Sequence, residues 1–392
     1  MQDFSPQNII EILKTYMPKN MDSIALHEPY LAGNEWDYVK SCLDTGWVSS
    51  AGNFVDRFEK DLADFTGTKY AVAVANGTAA LHTIYLLAGI STNDEVLVPT
   101  LTFVATCNAL AYCEAIPHFV DVNNTTLGID PEKLEDYLKD IAKIKQNICV
   151  NKFTQRPIKA LVVTHTFGHP ADLDSILAIC NRYHIKLIED AAEALGSLYK
   201  GKHVGHAGLA GALSFNGNKI ITTGGGGAIL TDDLELAKQA KHITTTAKQP
   251  HAFLYFHDRV GYNYRMPNIN AALGCAQLEQ IQTFLSSKRN LAKQYKKSWQ
   301  DIEGISFFVE PEFATSNYWL NTLLLDNKYY TQRDTILKLA HTNGIKARPV
   351  WTLMHKLPMY ASCPRMALNT AENLEQSAIN IPSSVFLTQD HP

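Results

Sequence analysis

One lysine, Lys219, stands between a polar run and four glycines in Ser214-Phe-Asn-Gly-Asn-Lys219-Ile-Ile-Thr-Thr-Gly-Gly-Gly-Gly227. Glycines adopt positive φ and let backbone approach a planar ligand closely. A lysine amine forms Schiff bases with carbonyls once its surroundings lower its pKa. Upstream, Asn76-Gly77-Thr78-Ala-Ala-Leu-His82 falls where a strand pattern gives way to a helix pattern. A helix start offers free N–H groups and a positive dipole end, a site for phosphate. Gly77 would allow close approach and Thr78 would add a hydroxyl donor, although a plain capped turn reads equally well. In Ile188-Glu-Asp190-Ala-Ala-Glu193-Ala-Leu-Gly196, Asp190 ends an apolar strand and so belongs at the carboxyl edge of a sheet. A carboxylate there keeps a pyridinium nitrogen protonated, or it caps the next helix. In the order 77, 190, 219, the three segments suit pyridoxal phosphate catalysis.

The elements that must position these residues alternate from about Lys69 onward. Strand patterns at 70–75, 95–98, 117–121, 158–163 and 185–188 are separated by helix patterns at 78–88, 102–112, 131–141 and 172–183. Leu213–Phe215 and Ala228–Leu230 add strands. Such alternation predicts an α/β fold, a mainly parallel sheet with helices on both faces. After Pro267 one helical pattern runs over residues 268–300, then strands at 305–309 and 318–325 and a helix at 331–342. This tail reads as a smaller α+β domain, so the division falls at 1–267 and 268–392.

Composition narrows the function classes. At 392 residues the chain is long enough for two domains, and 46% hydrophobic with 19% charged residues is an ordinary globular balance. A formal charge of −4 argues against a nucleic-acid surface. The seven cysteines are scattered without a CxxC pair, which favours free thiols in a reducing compartment. No metal-ligand spacing is seen. The first residues, Met-Gln-Asp-Phe-Ser-Pro, carry no signal-peptide pattern, and no apolar run nears the ~18 residues a membrane span needs. The expectation is a cytoplasmic enzyme.

Two further segments, Val98-Pro-Thr-Leu-Thr-Phe103-Val-Ala-Thr106 and Gly261-Tyr-Asn263-Tyr-Arg265-Met-Pro, join the three above. Together they resemble the DegT/StrS family of nucleotide-sugar aminotransferases, of pyridoxal-phosphate fold type I, across nearly the whole chain. Leu26-His-Glu-Pro, Asp44-Thr-Gly-Trp47-Val-Ser, His165-Thr-Phe-Gly-His169 and Asn218-Lys through Gly227 resemble its LegC-type subgroup, which acts in making legionaminic acid and related amino sugars. The resemblance implies a large domain with a seven-stranded sheet, a smaller C-terminal domain entered by a long linking helix, and a homodimer with shared active sites.

It also implies roles. Lys219 would bind the cofactor covalently and then act as the proton-transferring base, Asp190 would bind the pyridine nitrogen, and Phe103 would stack on the ring. Gly77, Thr78 and Ser214 would hold the phosphate, with Asn263 reaching it from the neighbouring subunit. Glu193 stands near the cofactor's phenolic oxygen where many members carry glutamine; a carboxylate there repels a phenolate unless protonated or bridged. Gly225 replaces the glutamate many members carry. Trp47, His165, Arg265, Arg348 and His355 would meet the substrates, the arginines being suited to carboxylate or diphosphate. The reaction implied moves an amino group, from L-glutamate, to C4 of a UDP-linked 4-keto-6-deoxy-N-acetylhexosamine. A GDP-perosamine-type transaminase and a non-catalytic regulatory protein of the same fold are the alternatives. Sugar dehydratases of this fold replace the lysine with histidine, so Lys219 counts against that activity.

Overall fold

The structure is a computed structural model that describes residues 4–18 and 20–387. The first three residues of the amino-terminal reading, and the ends of the two expected domains, therefore lie outside the described residues.

Seven strands form the central sheet: β1 Tyr70–Val74, β2 Glu95–Pro99, β3 Ile116–Val120, β4 Ile158–Thr164, β5 Lys186–Asp190, β6 Ala210–Ser214 and β7 Gly227–Thr231. Their spatial order is β1-β7-β6-β5-β4-β2-β3, and only β7 runs against the rest. The strands are apolar on both faces, as a helix-covered parallel sheet requires. Val96 and Val98 point into one core with Leu81, Ile84 and Ile188; Leu97 and Leu161 point into the other with Phe58 and Phe215. Because six strands share a direction, their carboxyl ends gather at one edge. Gly227, which opens the reversed strand, arrives at that same edge beside Val74 and Ser214.

A second, antiparallel sheet comprises β8 Ile305–Phe307, β9 Asn321–Leu325, β10 Arg348–Pro349 and β11 Ala378–Ile381, in the order β8-β9-β11-β10. Its core also takes in the first helix, Pro6–Lys14: Ile9, Ile10 and Leu13 are buried with Trp299, Ile336 and Ile379. The amino-terminal stretch of the expected large domain thus packs on the carboxyl-terminal sheet.

Two expectations are corrected. The helical pattern over 268–300 is two helices, Asn268–Glu279 and Ile281–Trp299, not one. At the joint, Gln280 N–H bonds Gln277 three residues back, tightening the turn, while its amide is tied to Glu35 Oε1 at 2.7 Å. The strand expected from Tyr318 begins at Asn321 instead, because Tyr318 takes a left-handed conformation (φ 48°) that a strand cannot continue. Among the described residues no helix is long and apolar enough to cross a membrane.

Candidate active site

The carboxyl edge of the sheet borders a cavity of about 280 Å³, lined by residues from seven stretches of the chain. Asn76, Gly77 and Thr78 come from the turn after β1, and Thr102 and Phe103 from the turn after β2. Thr164, Asp190 and Ser214 close β4, β5 and β6, and Glu193 and Lys219 follow in the loops. Trp319 and Trp351 arrive from beyond residue 300.

The turn after β1 is built as an anion cradle. Asn76 caps the Gly77–Leu87 helix, its side chain accepting from Ala79 N–H at 2.8 Å. The Gly77 and Thr78 N–H groups are left without an acceptor among the described residues. A side chain at Gly227 would lie 2.5–2.7 Å from the Asn76 and Gly77 backbone, so the reversed strand can reach this turn only as glycine. At Gly77 a Cβ would sit 3.1 Å from the Ser214 Cβ, which fixes how closely the serine borders the turn. The glycine run is not uniform, since Gly225 faces open space and a Cβ there would meet nothing within 4 Å.

Lys219 Nζ lies 3.5 Å from Glu193 Oε1 and 3.9 Å from the centre of the Trp319 ring, with the side chain largely buried. Trp319 is itself held, its indole N–H donating to the Asn218 carbonyl at 2.6 Å. The lysine therefore points inward, between a carboxylate and an aromatic face. Burial pushes Glu193 up to about 7, against the Lys219 charge and the Phe167 N–H that pull it down. A carboxyl so placed is protonated in a large share of molecules at neutral pH, which would lift the repulsion expected of glutamate were a phenolate beside it.

Asp190 accepts from Thr106 Oγ1 at 2.6 Å and from Ala192 N–H at 3.2 Å. Burial nonetheless outweighs these donors and the Lys219 charge, and holds its carboxyl above the usual range. An acid short of partners at a cavity wall is suited to a cationic N–H donor such as a pyridinium. With a free helix start and an amine lining the same cavity, the residues present fit pyridoxal phosphate.

Phe103 is 51% exposed at the cavity mouth, its ring 6.1 Å from that of Trp351. Gly77, Thr78, Phe103, Asp190, Glu193, Ser214 and Lys219 are thus all brought to one cavity.

The other expected residues do not line it. His165 is fully buried, with Nε2 on Glu189 at 3.0 Å and Nδ1 accepting from Ala171 N–H at 3.2 Å, so both nitrogens are spent. A substrate contact by His165 is corrected to a structural role. His355 is likewise buried, bonded to Thr100 at 2.7 Å. Arg348 is exposed on β10 of the second sheet, and Trp47 is exposed beside a separate depression that Asn268 also borders. Asn263 is exposed and pairs with Thr245, while Arg265 faces Asp56 at 3.8 Å. Among the described residues no cluster of His, Cys, Asp or Glu is arranged to hold a metal ion.

The sequence reading missed Trp319, Trp351, Thr102 and Thr164 as lining residues. Thr102 and Thr106 lie inside a segment singled out for Phe103, so their signal was present but unused. The tryptophans carry no local signal, because an aromatic facing a cavity and one in a core look alike in sequence.

Comparison with known proteins agrees with this geometry. The description "DegT/DnrJ/EryC1/StrS aminotransferase family" matches residues 29–392. A GDP-perosamine synthase of Escherichia coli O157:H7 is 39% identical over 94% of this chain and 96% of its own. A putative pyridoxal phosphate-dependent aminotransferase, EpsN of Bacillus subtilis, is 36% identical over 94% and 92%. Among solved structures, PseC of Helicobacter pylori, an aminotransferase of pseudoaminic acid biosynthesis, superposes with a TM-score of 0.84. It is 26% identical and covers 94% of this chain and 95% of that one.

Proposed function

The chain belongs to the DegT/DnrJ/EryC1/StrS aminotransferase family and is a pyridoxal phosphate-dependent sugar aminotransferase; from that premise we propose that it aminates C4 of a nucleotide-linked 4-keto-6-deoxy sugar at the expense of L-glutamate. The observation that carries this is the meeting of Lys219, Asp190 and the Gly77 helix start in one cavity. Bound there, pyridoxal phosphate supplies an electron-poor ring that takes up the electron pair left when a proton departs the donor's α-carbon. Lys219 Nζ is the base placed to remove that proton and, in the return half, to deliver one to sugar C4. Asp190 would hold a negative charge against the pyridine nitrogen, and the Gly77–Thr78 N–H groups with Ser214 would anchor the phosphate. Trp319 covers one side of the lysine amine, 3.9 Å from its ring centre, and the water it displaces there strengthens the charge interactions of that amine.

The acceptor we favour is UDP-linked and N-acetylated, a reading supported by Leu26-His-Glu-Pro and Asp44-Thr-Gly-Trp-Val-Ser. A GDP-linked acceptor is the second reading, favoured by the 39% identical perosamine synthase. Asn263 and Arg265 are read as reaching the cavity of a second copy. Supporting this, the segment just before them exposes Phe253, Leu254, Tyr255 and Val260, apolar surface that a homodimer would cover. The catalysis is assigned to the cytoplasm, a reading supported by the free state of the seven cysteines, as a reducing compartment keeps them.

Purified enzyme given glutamate should aminate one of a UDP- and a GDP-linked 4-keto-6-deoxy sugar at least about tenfold faster, a preference worth ~1.4 kcal/mol. Lys219→Ala should abolish turnover with both sugars and remove the absorbance of the lysine-bound cofactor. Undiminished activity in that variant would sink the assignment, and would leave the non-catalytic reading of the fold to be tested by ligand binding alone.

A further inference from the structure

Three buried threonine hydroxyls join end to end behind Asp190. Thr106 Oγ1 donates to Asp190 Oδ2 at 2.6 Å, Thr102 Oγ1 lies 3.0 Å from Thr106 Oγ1, and Thr164 Oγ1 lies 3.0 Å from Thr102 Oγ1. Thr102 and Thr106 are fully buried and Thr164 nearly so. They come from the turn after β2, the first turn of the Val104–Tyr112 helix and the end of β4, so three separate elements converge to build the row.

Each hydroxyl has one proton to give. An ionised carboxylate only accepts, so the Thr106 proton is committed to Asp190. Thr106 must then accept from Thr102, and Thr102 from Thr164. The charge on Asp190 thus sets one direction for the whole row, and each bond polarises the next. Threonines in other helices behave differently. Thr45, Thr66 and Thr244 return their hydroxyls to the carbonyl four residues back, which is the ordinary local solution. Thr106 sends its own across the cavity wall to the acid instead. Its main chain is pinned for this, with the Tyr85 hydroxyl donating to its carbonyl at 3.2 Å.

We propose that Thr164, Thr102 and Thr106 form a directed hydroxyl row that keeps Asp190 ionised and aimed at the cofactor nitrogen, with Thr106 as the principal positioning residue. The proposal rests on the reading of Asp190 as the partner of that nitrogen. The row opposes burial, which drives the carboxyl toward protonation. Without it, Asp190 would hold a proton more readily and yield the ring nitrogen less stabilisation, while the packing of the wall would be unchanged.

Thr106→Val keeps the shape and removes the hydroxyl; Thr106→Ser keeps the hydroxyl and removes a methyl. In the cofactor-loaded enzyme we expect Thr106→Val to move the pH midpoint of the bound cofactor's absorbance change by about one unit. Cofactor affinity and kcat should each weaken about tenfold, the size of one hydrogen bond to a charged group, with KM for the sugar nucleotide within about twofold. Thr106→Ser should restore the wild-type midpoint. Thr102→Val and Thr164→Val should give the same shift in diminishing steps, so the test survives if Thr106→Val does not fold. An unmoved midpoint and unchanged cofactor affinity in every valine variant at positions 106 and 102 that folds would overturn the proposal. Wild-type protein that takes up no cofactor would instead remove the assignment of Asp190 on which the proposal stands.

Discussion

Glu189 and Asp190 are consecutive residues of β5, both buried, yet their carboxylates meet opposite surroundings. Glu189 faces away from the cavity and is saturated, accepting from His165, Gly205 N–H, Ala207 N–H and Gly208 N–H. Burial alone would push it up, but these donors win and leave it below the usual carboxylate range. Asp190 faces the cavity with two donors, and there burial wins. At the amino edge of the sheet, Glu95 repeats the first pattern: His118, Thr154 and Asn151 outweigh burial and hold it low. A buried acid whose lone pairs are filled is part of the scaffold. One left short at a cavity wall is waiting for a partner that the chain does not supply.

The sharpest way to break this comparison is to neutralise each neighbour in turn. Asp190→Asn should lower kcat by about 10²–10³-fold, the usual loss when one charge-stabilising group is removed, without lowering the stability of the cofactor-free protein. Glu189→Gln should do the reverse. Its amide cannot accept from all its present donors, so urea denaturation should report a loss of about 1–3 kcal/mol, with little change in kcat per folded molecule. If both variants lose stability equally and activity equally, the distinction between the two acids is empty.

Glu193 gives the next test, through pH. Its folded value of about 7 lies above the ordinary 4.5, so the folded state holds the proton more tightly than the unfolded chain. Below about pH 4.5 both states are protonated and nothing is lost. As pH rises from there through 7, stability falls, by on the order of 3 kcal/mol in total. Glu193→Gln should therefore stabilise the cofactor-free protein at about pH 8 and bring little of that gain at about pH 5, measured by denaturation midpoints. An equal gain at both pH values would show that the burial of its charge is not the cause.

The smallest effect is expected at Phe103. Its exposed ring contributes stacking area only, so Phe103→Leu should weaken cofactor binding about two- to tenfold and leave folding unaffected. Equilibrium dialysis against cofactor decides it, and a loss of a hundredfold or none at all would contradict a stacking role.

Much of this site was legible in sequence because parallel α/β sheets put strand ends where ligands bind. Asp190 ends an apolar run, Gly77 follows one, and Lys219 precedes glycines; each of these is a local pattern. His165 misled for the same reason. It too stands just past a strand end, but the chain turns there into a short 3₁₀ segment and directs the ring onto Glu189. Sequence locates the edge of a sheet, whereas which way a side chain leaves the turn depends on the next few torsions. Trp319 and Trp351 were invisible because their approach depends on how the second sheet docks, 100 and 132 residues after Lys219. The break at Gln280 was hidden by a continuous apolar period on either side of it.

One feature of the sheet reaches beyond the finished molecule. β1, which carries the phosphate turn, pairs with β7, and its first residue, Tyr70, sits opposite Thr231. A ribosome that has just released β1 must still make some 160 further residues before that partner exists. Until then the anion cradle hangs from an unpaired ribbon, and pairings so distant in sequence form slowly. Cofactor capture at this turn would thus wait for the sheet to close, and a chain cut short before Gly227 should stay colourless.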